Sequence, residues 1–192
     1  MPRRLAYWLL LASFSANLVS CSLLPTTDHS EAIVNLPLAQ PSGPSRRVVQ
    51  QIKAIWQGHE EILMCVLELD NQHIAMAGLS TDGVGLFNLH YDGKTVKLDK
   101  SPLLPESVSP ELVIKDLQLV YWPLAELQKI LPKHWRLVEA GNHRQLYFDN
   151  ELAVDVAYLQ PDALWAKTTS LTNHRFHYQL YIKTISYESL PE

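Results

Sequence analysis

Four sets of residues have side chains that catalysis or metal binding could use. Ser80 lies in Gly78-x-Ser80-x-x-Gly83. A nucleophile elbow holds its serine in Gly-x-Ser-x-Gly on a strained strand-to-helix turn. The motif here is one residue longer and joins two extended segments, which argues against Ser80 as a nucleophile. His174 and His177 have the residue type of a metal pair, but three apart on a strand they point to opposite faces. Asp149 and Asp155 are separated by an even gap with a turn between them, and nothing ties them to acid or base work. Cys65, inside Ile62-Leu63-Met64-Cys65-Val66-Leu67, reads as a small buried hydrophobe. No two of the eight histidines fall in ligand spacing on an expected helix. The expectation is a non-enzyme with no catalytic residue, no metal and no cofactor.

The chemistry that the sequence does support is acylation of a thiol. Arg3 and Arg4 open the chain, an apolar run follows from Leu5 to Leu11, and small residues lead to Leu18-Val19-Ser20-Cys21. That is the layout of an export signal, and Ser13, Ser15 and Asn17 interrupt it too often for a membrane span of about 20 apolar residues. The tetrad resembles the bacterial lipobox, in which the cysteine sulfur receives a diacylglyceryl group and the freed amine a further acyl chain. Two or more chains anchor stably where one does not. Residues 1–20 are therefore expected to be a signal peptide and Cys21 the lipidation site. Ser22, where lipoproteins kept at the inner membrane carry Asp, resembles the outer-membrane class, anchored on the periplasmic face.

Removal of residues 1–20 leaves 172 of 192 residues, one domain's worth. It also removes Arg3 and Arg4, so 14 basic residues face 20 acidic ones and the net charge is near −6. No basic run or arginine-aromatic interleaving suggests a nucleic-acid partner. With Cys21 acylated, Cys65 has no disulfide partner.

Pro25, Pro37, Pro41 and Pro44, with Ser and Thr between them, read as a flexible tether over residues 21–45, with the domain over 46–192. Val48, Ile52, Ala54 and Trp56 alternate as in a strand. Residues 62–69 read as a strand covered on both faces. Segments 73–78 and 84–91 are joined by the loop Gly78–Gly83, and Asp92-Gly93 makes a tight hairpin to 95–99. Ser109-Pro110 starts a helix that carries Leu112, Val113, Leu117 and Val120. Trp122-Pro123 breaks it, and a second helix carries Leu124, Leu127, Ile130 and Leu131. Residues 135–139, 144–149 and 151–158 are extended, and one long strand is expected over 174–187. The fold class is α+β: a curved antiparallel sheet, a half-barrel, under a kinked helical lid.

A single sheet must cover its apolar face, and the 110–131 region supplies the cover. So little helix could leave a hollow lined by Trp56, Leu67, Met76, Phe87, Leu89, Leu117, Val120, Trp122, Leu127, Phe176, Tyr178 and Leu180, suited to acyl chains. The same residues would equally build a filled core, since side-chain type does not separate the two.

The order of elements resembles the LolA/LolB-like fold. Two segments carry the likeness: Pro123-Leu124-Ala125-Glu126-Leu127-Gln128-Lys129-Ile130-Leu131-Pro132, similar to the lid-helix segment, and Gly78-Leu79-Ser80-Thr81 with Leu86, Leu89, Val96 and Leu98, similar to the hairpin with a protruding leucine. The resemblance implies an exposed, membrane-inserting Leu79. It further implies acyl-chain cargo, contact with outer-membrane lipids and a periplasmic carrier protein as a further partner. Asp82-Gly83 lengthens the loop and the 174–187 segment is unusually aromatic. The chain therefore resembles more closely the outer-membrane lipoproteins of this fold that accompany aryl-polyene or fatty-acid-like gene clusters. The function implied is binding and transfer of a lipid, a polyene ester or a lipoprotein's acyl chains. The alternative is a non-catalytic scaffold of an envelope complex.

Overall fold

A computed structural model describes residues 36–104, 109–160 and 166–191. The expected signal and Cys21 lie outside the described residues. Strands β1 (Arg46–Trp56), β2 (His59–Leu69), β3 (Ile74–Ser80), β4 (Gly85–Tyr91) and β5 (Val96–Lys100) come first. Helices α1 (Pro110–Tyr121) and α2 (Leu124–Ile130) follow. Then come β6 (Trp135–Ala140), β7 (His143–Phe148), β8 (Glu151–Gln160), β9 (Thr168–Asn173) and β10 (Tyr178–Ser189). All ten strands form one antiparallel sheet in the order β5-β4-β3-β2-β1-β10-β9-β8-β7-β6. The chain thus runs outward to one edge, crosses through the helices and returns from the other edge. This is the expected curved sheet with two short helices.

Turn chemistry sets the hairpins. Gln57 and Gly58, at φ 47 and 80, and Asp149 and Asn150, at φ 47 and 69, make two-residue connections of the twist that hairpins favour. The Asp92 carboxylate accepts from the N–H groups of Lys94 at 2.9 Å and Thr95 at 2.7 Å. The Ser109 hydroxyl caps α1 by accepting from Leu112 N–H at 3.3 Å, with Pro110 in the first turn. Trp122 is extended, at φ −76 and ψ 149, and α1 ends there.

Three expectations are corrected, and one strand is added. The long strand over 174–187 is broken at residues 174–177, because Asn173 Oδ1 accepts from the N–H groups of Arg175 and Phe176 and His177 takes φ 55. His174 and His177 therefore lie in a turn. Thr168–Asn173, with little apolar alternation, forms β9 and buries Thr169, Leu171 and Asn173. Leu79 lies inside β3, half-buried, and the loop tip carries Val84, 50% exposed; pairing of β3 with β2 and β4 extends through Leu79. Finally, the last part of the expected tether is not free: Leu36, Leu38 and Ala39 pack on the core, because polar side chains of α1 hold this stretch of backbone.

Helix α1 also differs from a simple cover. Ile114 to Val120 are buried without interruption, which requires neighbours on every side. It lies within the trough of the sheet, and Lys115, Asp116 and Gln118 are buried with it. Helix α2 is shallower: only Leu127 is buried, with Leu124 and Ile130 packed at its margin.

Candidate functional site: the concave face of the sheet

Directly opposed residues of an antiparallel pair share a face. The register therefore assigns one concave surface across the strands. Its first rows join Leu98, Leu89, Met76, Leu67 and Val48, flanked by Tyr91, Ile74 and Leu69. Most of these are buried, and Leu67 and Val48 fully so. The rows on the other side join Leu63, Ile52 and Ile182, then Ala54 and Leu180, then Trp56 and Tyr178. Except for Ile182 these are only half-buried. Phe87 stands between the two regions, opposite Gly78, and is half-buried too. The trough is sealed at one end and partly open at the other, where the apolar residues are joined on β2 by the exposed Glu61, opposite Ala54, and His59, opposite Trp56.

The helix that fills the sealed part is fixed by polar side chains. Tyr178 Oη donates to Asp116 Oδ2 at 2.5 Å and accepts from Asn173 Nδ2 at 3.2 Å. Burial pushes the Asp116 carboxyl up to about 7, against the opposing effects of the Tyr178 hydrogen bond and the Lys115 charge. Burial also raises Tyr178 and lowers Lys115. Gln50 Nε2 donates to Tyr121 Oη at 2.6 Å. Tyr158 Oη donates to the Val120 carbonyl at 2.6 Å. The buried Arg144 donates to the carbonyls of Leu119 at 2.9 Å and Trp122 at 2.7 Å while pairing with Glu139. These carbonyls end α1 and would otherwise lack partners.

The expected lining residues divide between the two regions. Leu67, Met76, Leu89, Leu117, Val120, Trp122 and Leu127 are in the buried core. Trp56, Phe87, Phe176, Tyr178 and Leu180 are half-covered. Ile52, Ala54 and Leu63 join them on the open part, although the sequence reading had not placed them in the lining. Their alternation was visible, but the pairing that gathers them was not.

The polar candidates lie elsewhere. The Ser80 hydroxyl accepts from Val84 N–H at 3.1 Å and serves the hairpin turn. Asp149 pairs with His134 at 2.7 Å, and Asp155 with His143 at 3.0 Å, a pair whose Asp155 and Gln145 stand 3.0 Å apart. Both histidine partners escape a search by sequence spacing, being separated by 15 and 12 residues. Cys65 is fully buried and its thiol is pushed up to about 12 by that burial. Among the described residues no group of three or more His, Cys, Asp and Glu is placed to hold a metal ion. No described helix is long and apolar enough to cross a membrane.

The sequence profile of DUF3261, a protein of unknown function, matches residues 47–186. No curated protein has a significantly similar sequence. Among solved structures the chain is similar to a LolA superfamily protein from Nitrosomonas europaea, at 10% identity and TM-score 0.46, over 84% of this chain and 92% of that one. It is also similar to a domain described as an outer membrane lipoprotein-sorting protein from Vibrio parahaemolyticus, at 10% identity and TM-score 0.44, over 85% and 92%. A DUF1329 family protein from Desulfovibrio piger matches at 7% identity and TM-score 0.40, over 84% and 90%.

Proposed function

The chain belongs to the DUF3261 family, and we propose that it binds an acyl chain on its concave face and passes it on at the bacterial outer membrane. One observation carries the reading: Ile52, Ala54, Trp56, Leu63, Phe87 and Leu180 share one face of the sheet and are left half-covered by the protein itself. Covering such a surface with hydrocarbon is favourable by roughly 25 cal/mol per Å². A flexible hydrocarbon chain suits these apolar positions, and Glu61 opposite Ala54 and His59 opposite Trp56 add a polar margin on β2.

Cys21, acylated in this reading, holds the domain at the periplasmic face of the outer membrane. Val84, exposed at the loop tip beyond β3, supplies the contact with lipid in place of Leu79. The cargo is a lipid, a polyene ester of an associated gene cluster or the acyl chains of a lipoprotein, delivered by a periplasmic carrier. Mass spectrometry of the full chain purified from membranes tests this. A bound species with a hydrocarbon tail is expected, and Leu63→Arg should lose it. A ligand-free wild-type chain that also ignores added fluorescent fatty acid overturns the reading.

The scaffold reading has its own support. Ile62 and Tyr181 share the convex face and are 39% and 41% exposed, with Ile185 nearby on β10 at 53%. Cross-linking that recovers one stoichiometric envelope partner, lost on Tyr181→Glu, would favour it.

A further inference from the structure

Residues 36–41, immediately ahead of β1, bind α1 through their backbone. The Gln118 amide accepts from Ala39 N–H at 2.9 Å and donates to the Ala39 carbonyl at 2.7 Å, both bonds buried. Trp122 Nε1 donates to the Gln40 carbonyl at 2.9 Å. Gln40 Nε2 in turn donates to the Gly93 carbonyl at 2.8 Å. The segment packs closely on the β4–β5 turn, where a Cβ on Gly93 would meet the Gln40 side chain and Pro41.

Gln118, and Trp122 at the residue that ends α1, bond the backbone of Ala39 and Gln40 respectively and so lie on one side of the helix end. Asp116, which holds Tyr178 of the sheet, is two residues back and about 200° around the helix. The segment and the sheet therefore grip α1 from opposite sides. That accounts for a helix carrying Lys115, Asp116 and Gln118 yet buried all round.

We propose that residues 36–41 are a latch: α1 swings from the trough, admitting an acyl chain beyond the open end, only when Ala39 releases Gln118. Ala39 is 18 residues after Cys21, a span of up to about 60 Å when extended. This inference rests on the ligand reading above, but the latch has a readout of its own.

The test uses the full chain, with Ala39→Pro to remove the donor N–H and Gln118→Leu to remove the partner. Hydrogen exchange of the α1 amides should be about tenfold faster in both variants, with cooperative unfolding retained. Dansyl-labelled fatty acid should enter faster by a similar factor. If Gln118→Leu does not fold, Ala39→Pro alone decides. Unchanged α1 exchange in Ala39→Pro overturns the latch. Faster exchange in a chain that binds no fatty acid keeps the latch and removes the ligand reading instead.

Discussion

The ring of Phe87 occupies the space that a Cβ on Gly78 would need. The two residues are directly opposed on β4 and β3, at the boundary between the sealed and open parts of the trough. Gly78→Ala must displace the ring, because the neighbouring atoms belong to the ring itself. Such overpacking costs roughly 1–3 kcal/mol. Urea unfolding should show a loss of that size. Fatty-acid affinity should change as well, since Phe87 borders the half-covered surface. An unchanged midpoint would mean that the ring has free room elsewhere.

Arg144 gives a second prediction. Its guanidinium joins the last carbonyls of α1 to Glu139. Arg144→Met leaves two carbonyls and a carboxylate without their donor, which should cost about 3 kcal/mol. Arg144→Lys should restore little of it, because the compact ammonium cannot span both the helix carbonyls and Glu139, which the guanidinium meets from separate nitrogens. Chemical denaturation of both variants checks this.

The third prediction concerns pH. Burial raises Asp116 from 3.8 to about 7 in the folded chain. Between these values the native state holds a proton that the unfolded chain has released. Stability from this group is therefore complete below about pH 4, falls as pH rises toward 7 and then levels. Asp116→Asn should flatten that slope in melting temperatures measured between about pH 4 and 8. A slope equal to that of the wild type would assign it to other groups.

Much of this arrangement was readable from residue order, and the reasons for the rest are specific. Asp92-Gly93, Ser109-Pro110 and Trp122-Pro123 act within four residues, so their turn, cap and break follow from local chemistry. Asn173 misled because its side chain turns the chain where aromatic residues continue the strand pattern. β9 was hidden because Thr169 and Asn173 face inward as polar groups. Gln118 and Ala39 are 79 residues apart, and no local pattern marks their contact. The alternation of Ile52, Ala54 and Trp56 was legible. Their incomplete covering depends on where α1 lies, which only the assembled trough decides.

Cys65 supplies a fourth prediction. It is 0% exposed and its thiol is pushed up to about 12, so the nucleophilic thiolate is scarce and shielded. In a Cys21→Ser chain, a thiol reagent near pH 8 should label nothing in the native protein and one thiol per chain after denaturation. Rapid native labelling would reveal frequent opening of the β2 region.

The strand order has a consequence for assembly. Each group of five strands is a run of neighbours in the chain, so ten strands need one distant zipper, β1 against β10, with Arg46 facing Ser189. Hairpins on either side can form early and independently, while the central seam must wait until the last strand has been made. A ribosome-stalled chain ending before Tyr178 would hold two unjoined half-sheets with raw inner edges, the stage at which a chaperone would have most to protect.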